Sequence, residues 1–182
     1  MVLVFLANGF EETEAIAPID ILRRNGQKVV TVGIGEEIIT SAHGVTIVPD
    51  ITEVDISMSD EIDMIVLPGG MPGTLNLEKS RTVQDAIDFC AANGKYIGAI
   101  CAAPSIIGKK GLLKGRKATC FTGFEDFLEG AQFTGAPVEQ DGNIITARGA
   151  GVALEFGLKL VEALSGKPAS DKIHEAMRCV GA

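Results

Sequence analysis

The chain has 182 residues, of which 46% are hydrophobic and 22% charged, a composition typical of a globular protein. We therefore expect a single domain over residues 1–182. The formal net charge is −8, the sixteen basic residues are dispersed, and Trp is absent. This argues against nucleic acid as a partner, because phosphates bind clustered Lys and Arg and bases stack on aromatic rings.

The apolar start of the chain differs from a leader peptide or a membrane span. Residues 2–7 lack a preceding basic region, and the run stops at Asn8. We therefore expect a cytoplasmic protein without membrane contact. The four cysteines contain no C-x-x-C pair, and a domain of this size in a reducing compartment needs no disulfide scaffold.

Short runs rich in Val and Ile alternate with segments of helical period. The runs predict strands at residues 2–7, 28–33, 64–67, 96–100, 118–121 and 144–147, and a hairpin formed by 38–40 and 45–48. The helical pattern predicts helices at residues 11–24, 81–93, 103–113, 124–128, 153–164 and 171–179. This alternation predicts an α/β fold with a doubly wound, mostly parallel sheet and helices on both faces.

The chemically reactive segments all follow predicted strands. They are residues 8–14, the glycine-rich residues 68–73, Cys101, and the pair Arg148 and Gly149. Because ligands of open parallel sheets bind outside the carboxyl ends of the strands, we expect these segments to form one site.

Cys101 lies between a predicted strand and a helix that begins near Pro104. At such a strand-to-helix elbow the positive end of the helix favours thiolate over thiol, so we expect Cys101 to be a nucleophile. The alternative is a small buried hydrophobic residue. We expect only structural roles for Cys90 on an apolar helix face, Cys120 in a predicted strand and Cys179 in the tail.

Two further groups of residues are candidates for the same site. Gly69 and Gly70 offer unscreened backbone amides that can bind an anion or a developing oxyanion, although a plain turn explains them equally well. Glu11, Glu12 and Glu14 lie in the first turn of a helix, where the helix dipole alone favours acids. One of the three can retain its proton beside a thiolate and move protons, but the pattern does not select which.

Histidine occurs only at His43, in the predicted hairpin turn, and at His174, in the tail. Neither position suits a Cys-His dyad, so we expect surface roles for both. We find no metal-ligand spacing, no G-x-G-x-x-G after a strand and no P-loop, and we expect neither a metal nor a cofactor.

The chain resembles the ThiJ/PfpI superfamily, in particular the branch of the parkinsonism-associated protein deglycase and its bacterial relatives. The resemblance extends from about residue 3 to about residue 167. Four segments in the same order carry it: Glu11-Glu12-x-Glu14, Leu67-Pro68-Gly69-Gly70, Ala99-Ile100-Cys101-Ala102-Ala103-Pro104 and Ile145-Thr146-Ala147-Arg148-Gly149. It implies a flavodoxin-like fold, a homodimer and a redox-sensitive Cys101.

The resemblance also implies roles for individual residues. Glu14 corresponds to the glutamate whose protonated carboxyl contacts the thiol, the amides of Gly70 and Ala102 correspond to the anion or oxyanion pocket, and Arg148 lines that region. The implied activity is cofactor-free conversion of methylglyoxal or glyoxal to a hydroxy acid, or deglycation of early adducts. The alternative is an oxidative-stress sensor or chaperone in which Cys101 is oxidised to a sulfinate.

One departure from the family pattern concerns histidine. Many members carry a histidine close to the cysteine, but residues 123–135 contain none, and Gln132 is the nearest polar candidate. This weakens a peptidase interpretation, which needs a Cys-His pair. A glutamine amidotransferase should carry His-x-Glu near the end of the sheet, whereas His174 and Glu175 are adjacent and too late in the chain.

Overall fold

The computed structural model describes residues 1–179. The strands are β1 (Val2–Ala7), β2 (Val29–Ile34), β3 (Ile39–Thr40), β4 (Thr46–Ile47), β5 (Ile51–Thr52), β6 (Met64–Leu67), β7 (Tyr96–Ile100), β8 (Lys117–Ala118), β9 (Gln132–Phe133), β10 (Val138–Asp141) and β11 (Ile144–Ala147). The helices are α1 (Glu12–Arg24), α2 (Gly73–Lys79), α3 (Arg81–Ala92), α4 (Pro104–Lys109), α5 (Ala153–Ser165) and α6 (Lys167–Ala176), with short 3₁₀ segments at Glu53–Asp55, Glu125–Leu128 and Ala150–Val152.

Seven of these strands form the central sheet in the order β10-β11-β7-β6-β1-β2-β5. Pairing is parallel from β11 to β5, and only the edge strand β10 runs antiparallel to its neighbour. The chain moves from β1 outward to β2 and later returns to β6 on the other side of β1. The crevice beside β1 is therefore the point at which the winding reverses, where ligands of such sheets bind.

The central strands are apolar at every position because helices cover both faces of the sheet. In β1, Leu3 and Phe5 point to one face and Val2 and Val4 to the other, and all four are buried. Helices α2, α3 and α4 pack on the first face, and α1, α5 and α6 pack on the second. The predicted fold class is confirmed.

The close packing of α1 on α5 depends on Gly157. A Cβ at this position would lie 2.7 Å from Cδ1 of Ile21 and 3.2 Å from Cα of Pro18. The absence of a side chain therefore lets the two helices approach each other closely at Pro18 and Ile21.

The structure also differs from the predicted elements. The strand predicted at residues 118–121 is only β8, paired with β9 in a separate small sheet, and Cys120 lies beyond it. The helix predicted at 103–113 ends at Lys109, because Gly111 follows at φ 72°. Helix α2 and strand β10 were not predicted. No helix within residues 1–179 is long and apolar enough to cross a membrane.

Candidate active site

The loops that follow β1, β6, β7 and β11 meet at one edge of the sheet, because these strands are parallel and in register. Cys101 comes directly after β7 and has φ 65°, a conformation that residues other than glycine rarely adopt. Its amide donates to the carbonyl of Ala147, 2.8 Å away, and its carbonyl accepts from the amide of Phe121 at 2.8 Å. The half-buried cysteine is thus fixed at the junction of β7 and the turn before α4.

Of the three candidate glutamates, Glu14 is the one beside Cys101. Its side chain is 1% exposed, and Oε2 accepts the amide proton of Gly69 at 2.9 Å. The Cys101 thiol and the Ala150 amide also lie next to this carboxyl. Within residues 1–179, Oε1 completes no hydrogen bond of ordinary geometry, so this oxygen is available to hold a proton.

The other two glutamates have different tasks. The Glu11 carboxylate caps α1 by accepting the amide proton of Glu14 at 2.7 Å, which orients the helix start. Glu12 lies 3.0 Å from Nδ1 of His43. Helix geometry alone did not separate the three residues, because the distinction depends on how deeply each side chain enters the sheet edge.

Gly69 allows the acid and the thiol to approach each other. A Cβ at this position would lie 2.6 Å from Cβ of Cys101 and 2.7 Å from Oε2 of Glu14. Neither contact is tolerable, so a side chain here would drive the pair apart. The amide of Gly69, expected in the anion pocket, is already bonded to Glu14 because the carboxyl lies directly against this turn.

The amides of Gly70 and Ala102 lie near the Cys101 sulfur and favour its thiolate form. Gly70 has φ 89°, and a Cβ there would lie 2.3 Å from the amide nitrogen of Glu11, so the turn requires glycine. The structure brings together Glu14, Cys101 and these two amides. If a substrate carbon bonds to the sulfur, the same amides can stabilise the negative charge on the oxygen of that carbon.

Burial raises the pKa of Glu14 to about 7. Burial, followed by the negative charge of Glu14, raises the pKa of the Cys101 thiol to about 12. The net shift of this pKa is therefore opposite to the one expected from the helix start alone. The amides of Ala102 and Gly70 act in the expected direction, but burial and the adjacent carboxylate outweigh them. At neutral pH the thiol keeps its proton next to a carboxyl that is partly ionised.

A cavity of about 520 Å³ adjoins the site through Gly149 and Ala150, although neither Cys101 nor Glu14 lines it. Arg148 and Gly149 line it as expected, together with Phe121 and Phe133, which the sequence interpretation missed. Gly149 and Ala150 form the wall next to the acid: a Cβ on Gly149 would lie 3.9 Å from Oε1 of Glu14, and the Ala150 amide lies next to the carboxyl.

Gln132, the polar candidate for the missing histidine, lies exposed on β9 and does not line this cavity. The residue whose amide reaches the main chain of the cysteine is Phe121. Its position as the last residue of the strand predicted at residues 118–121 was the available signal. The irregular path of the chain beyond β8 concealed this signal.

The fold gathers one grouping that the sequence spacing did not reveal. Glu11, Glu12 and His43 each place one atom that could bind a metal ion within 4.8 Å of the others. They come together because the β3–β4 hairpin folds over the start of α1. Glu11 is the helix cap and Glu12 pairs with His43, so these groups already have partners within the protein. The remaining thiols of residues 1–179 are Cys90 and Cys120, both buried, and the half-buried Cys179.

Comparison with known proteins identifies the family. Residues 1–163 match the DJ-1/PfpI family. The chain belongs to this family. It is 38% identical over 179 residues to the protein dj-1beta of Drosophila melanogaster, covering 97% of this chain and 94% of that protein. It is 34% identical over 157 residues to a Caenorhabditis elegans protein named glutathione-independent glyoxalase DJR-1.2, covering 86% of this chain and 83% of that protein.

Solved structures of family members have the same fold. The crystal structure of Drosophila melanogaster DJ-1beta matches with a TM-score of 0.91 at 36% identity, covering 99% of this chain and 98% of that one. The structure of oxidized DJ-1 from Toxoplasma gondii matches with a TM-score of 0.89 at 34% identity, with coverage of 99% and 98%. The resemblance found from the four sequence segments is confirmed at the level of family and fold.

Proposed function

We propose that this chain is a cofactor-independent enzyme of the glyoxalase or deglycase type, acting on methylglyoxal, glyoxal or their early adducts through Cys101. The observation that carries the proposal is the buried Glu14 carboxyl beside the thiol, with a pKa of about 7. A carboxyl with this pKa can both accept and return protons at neutral pH. The name of the Caenorhabditis elegans relative supports the same reaction class.

In the first step the sulfur of Cys101 adds to the aldehyde carbon, and the thiol proton passes to the Glu14 carboxylate. The aldehyde oxygen, held by the amides of Gly70 and Ala102, takes this proton from Glu14 to give a hemithioacetal, which leaves Glu14 ionised again. Glu14 then removes the proton from this carbon, the hydroxyl proton passes to the neighbouring carbonyl oxygen, and Glu14 returns its proton to the carbon of that carbonyl. The product is a thioester of the 2-hydroxy acid, an isomer of the hemithioacetal. Water hydrolyses the thioester and restores the thiol, so the oxidation and reduction occur within the substrate.

The test is to mix purified protein with methylglyoxal and to quantify D- and L-lactate. Cys101→Ala and Glu14→Gln should each reduce lactate formation by at least a hundredfold, since each removes a group that acts on reacting atoms. Cys179→Ala, a half-buried thiol outside the site, is the matched control. Wild-type activity should rise as pH increases through about 7, because Glu14 must be ionised to act as the base. Lactate formation equal in wild type and Cys101→Ala would exclude the proposal.

A second candidate is an oxidative-stress sensor or chaperone in which Cys101 is converted to a sulfinate. The supporting observation is the exposure of the thiols: Cys101 is half-buried, whereas Cys90 is 0% and Cys120 is 3% exposed. Intact-mass analysis after graded peroxide should show two oxygens at Cys101 before either buried thiol reacts. Simultaneous oxidation of Cys90 would contradict it. A homodimer is also a prediction, tested by light scattering.

A further inference from the structure

The cavity beside Cys101 has two aromatic walls. Phe121 and Phe133 both line it, and their side chains remain 50% and 47% exposed. The Phe121 ring also lies against Gly149, with Cδ2 3.2 Å from where a Cβ of that glycine would be. Because Gly149 adjoins both the Phe121 ring and the Glu14 carboxyl, the aromatic walls lie one residue away from the acid.

The cavity is much larger than the smallest substrate of the proposed reaction. Methylglyoxal has five non-hydrogen atoms and fills roughly 150 Å³, if each takes the ~30 Å³ that a water molecule occupies in the liquid. The cavity measures about 520 Å³, within the range of sites that enclose larger ligands. The remaining space is bordered by the two phenylalanine rings, whose faces and edges favour contact with another aromatic ring.

Arg148 adds a positive charge to the same cavity. Its side chain is exposed, and none of the ion pairs formed within residues 1–179 includes it. In a chain of net charge −8, a guanidinium without an acidic partner beside a reactive thiol favours an anionic ligand group.

We propose that this cavity selects 2-oxoaldehydes in which the ketone carbon carries an aromatic ring with an acidic substituent. The ring packs against Phe121 and Phe133, and the acidic group pairs with Arg148. This inference rests on the proposed function for the reaction, but the recognition of the ring and the acid is a property of the cavity that binding measures directly.

The binding test uses hydroxy acids, which lack the aldehyde that would modify arginine. Titration calorimetry should show that wild type binds mandelate roughly tenfold more tightly than lactate, and 4-carboxymandelate about fivefold more tightly still. Phe133→Ala should remove the advantage of mandelate over lactate. Arg148→Gln should keep that advantage and remove only the gain from the second carboxylate. Phe127→Ala and Arg81→Gln, exposed residues outside the cavity, are matched controls.

The kinetic test compares initial rates with methylglyoxal, phenylglyoxal and 4-carboxyphenylglyoxal. The kcat/KM values should rise in that order, and Phe133→Ala should lower the ratio of phenylglyoxal to methylglyoxal mainly through KM. Equal kcat/KM for the first two aldehydes, or an equal effect of Phe127→Ala, would overturn the inference and leave the proposed function intact. If no aldehyde is converted, the proposed function fails, and the binding measurements alone then test the inference. The inference is overturned if 4-carboxymandelate binds no more tightly than lactate.

Discussion

Replacing Glu14 by glutamine should change how the stability of the protein depends on pH. Burial raises the pKa of this carboxyl from 4.5 to about 7, so the folded protein keeps the proton in a range where the unfolded chain has lost it. Glu14 therefore stabilises the fold fully below pH 4.5, and this contribution is lost as pH rises through 7. The difference between the two pKa values corresponds to ~3 kcal/mol, at roughly 1.4 kcal/mol for each pKa unit.

Glutamine keeps an oxygen for the Gly69 amide but does not titrate. The free energy of unfolding, measured with urea near pH 4 and near pH 8, should shift by ~3 kcal/mol in favour of Glu14→Gln over this interval. Glu155→Gln, an exposed position on α5, controls for the loss of one formal charge. The assignment of Glu14 as a buried acid would be refuted if the difference in free energy of unfolding between variant and wild type stayed constant with pH. It would also be refuted if that difference moved in favour of wild type as the pH rises.

Two glycines give further predictions. Gly108→Ala should lower the free energy of unfolding by about 2 kcal/mol although Ala favours helices, because its Cβ would lie 2.2 Å from the carbonyl oxygen of Phe127. Gly151→Ala is the control and should be nearly neutral, because no atom lies within 4 Å of the new Cβ. Thermal unfolding of both variants measures the difference. Gly69→Ala should reduce lactate formation at least tenfold, because the new methyl group would displace the Glu14 carboxyl from the thiol. Unchanged turnover in Gly69→Ala would show that the contact between acid and thiol is dispensable.

The sequence predicted the central strands well, for a physical reason. β1, β6, β7 and β11 have the bounds expected from the pattern, because strands covered on both faces appear as uninterrupted apolar runs. β10 is an edge strand of sequence Val-Glu-Gln-Asp, half-buried throughout, so it has no apolar run and no alternation. Its pairing depends on the hairpin with β11 rather than on its own composition.

The candidate site was predicted in position but not in its electrostatics. The strand-to-helix junction located Cys101, since the rule concerns the ends of strands and needs no tertiary detail. The raised pKa of the thiol arises from burial and from Glu14, which is far from Cys101 in sequence. The contribution of Phe121 was equally hidden, because the strand predicted at residues 118–121 ends at Ala118 and Phe121 lies in an irregular segment beyond it.

The anchoring of Cys101 has a consequence for the order in which the chain is made. Its amide is bonded to Ala147 in β11, and its carbonyl to Phe121, both of which leave the ribosome after the cysteine. Until β11 has been synthesised and has paired with β7, the nascent chain carries the thiol without its finished surroundings. The surroundings of Cys101 are therefore completed only after β11 has been made and has paired with β7.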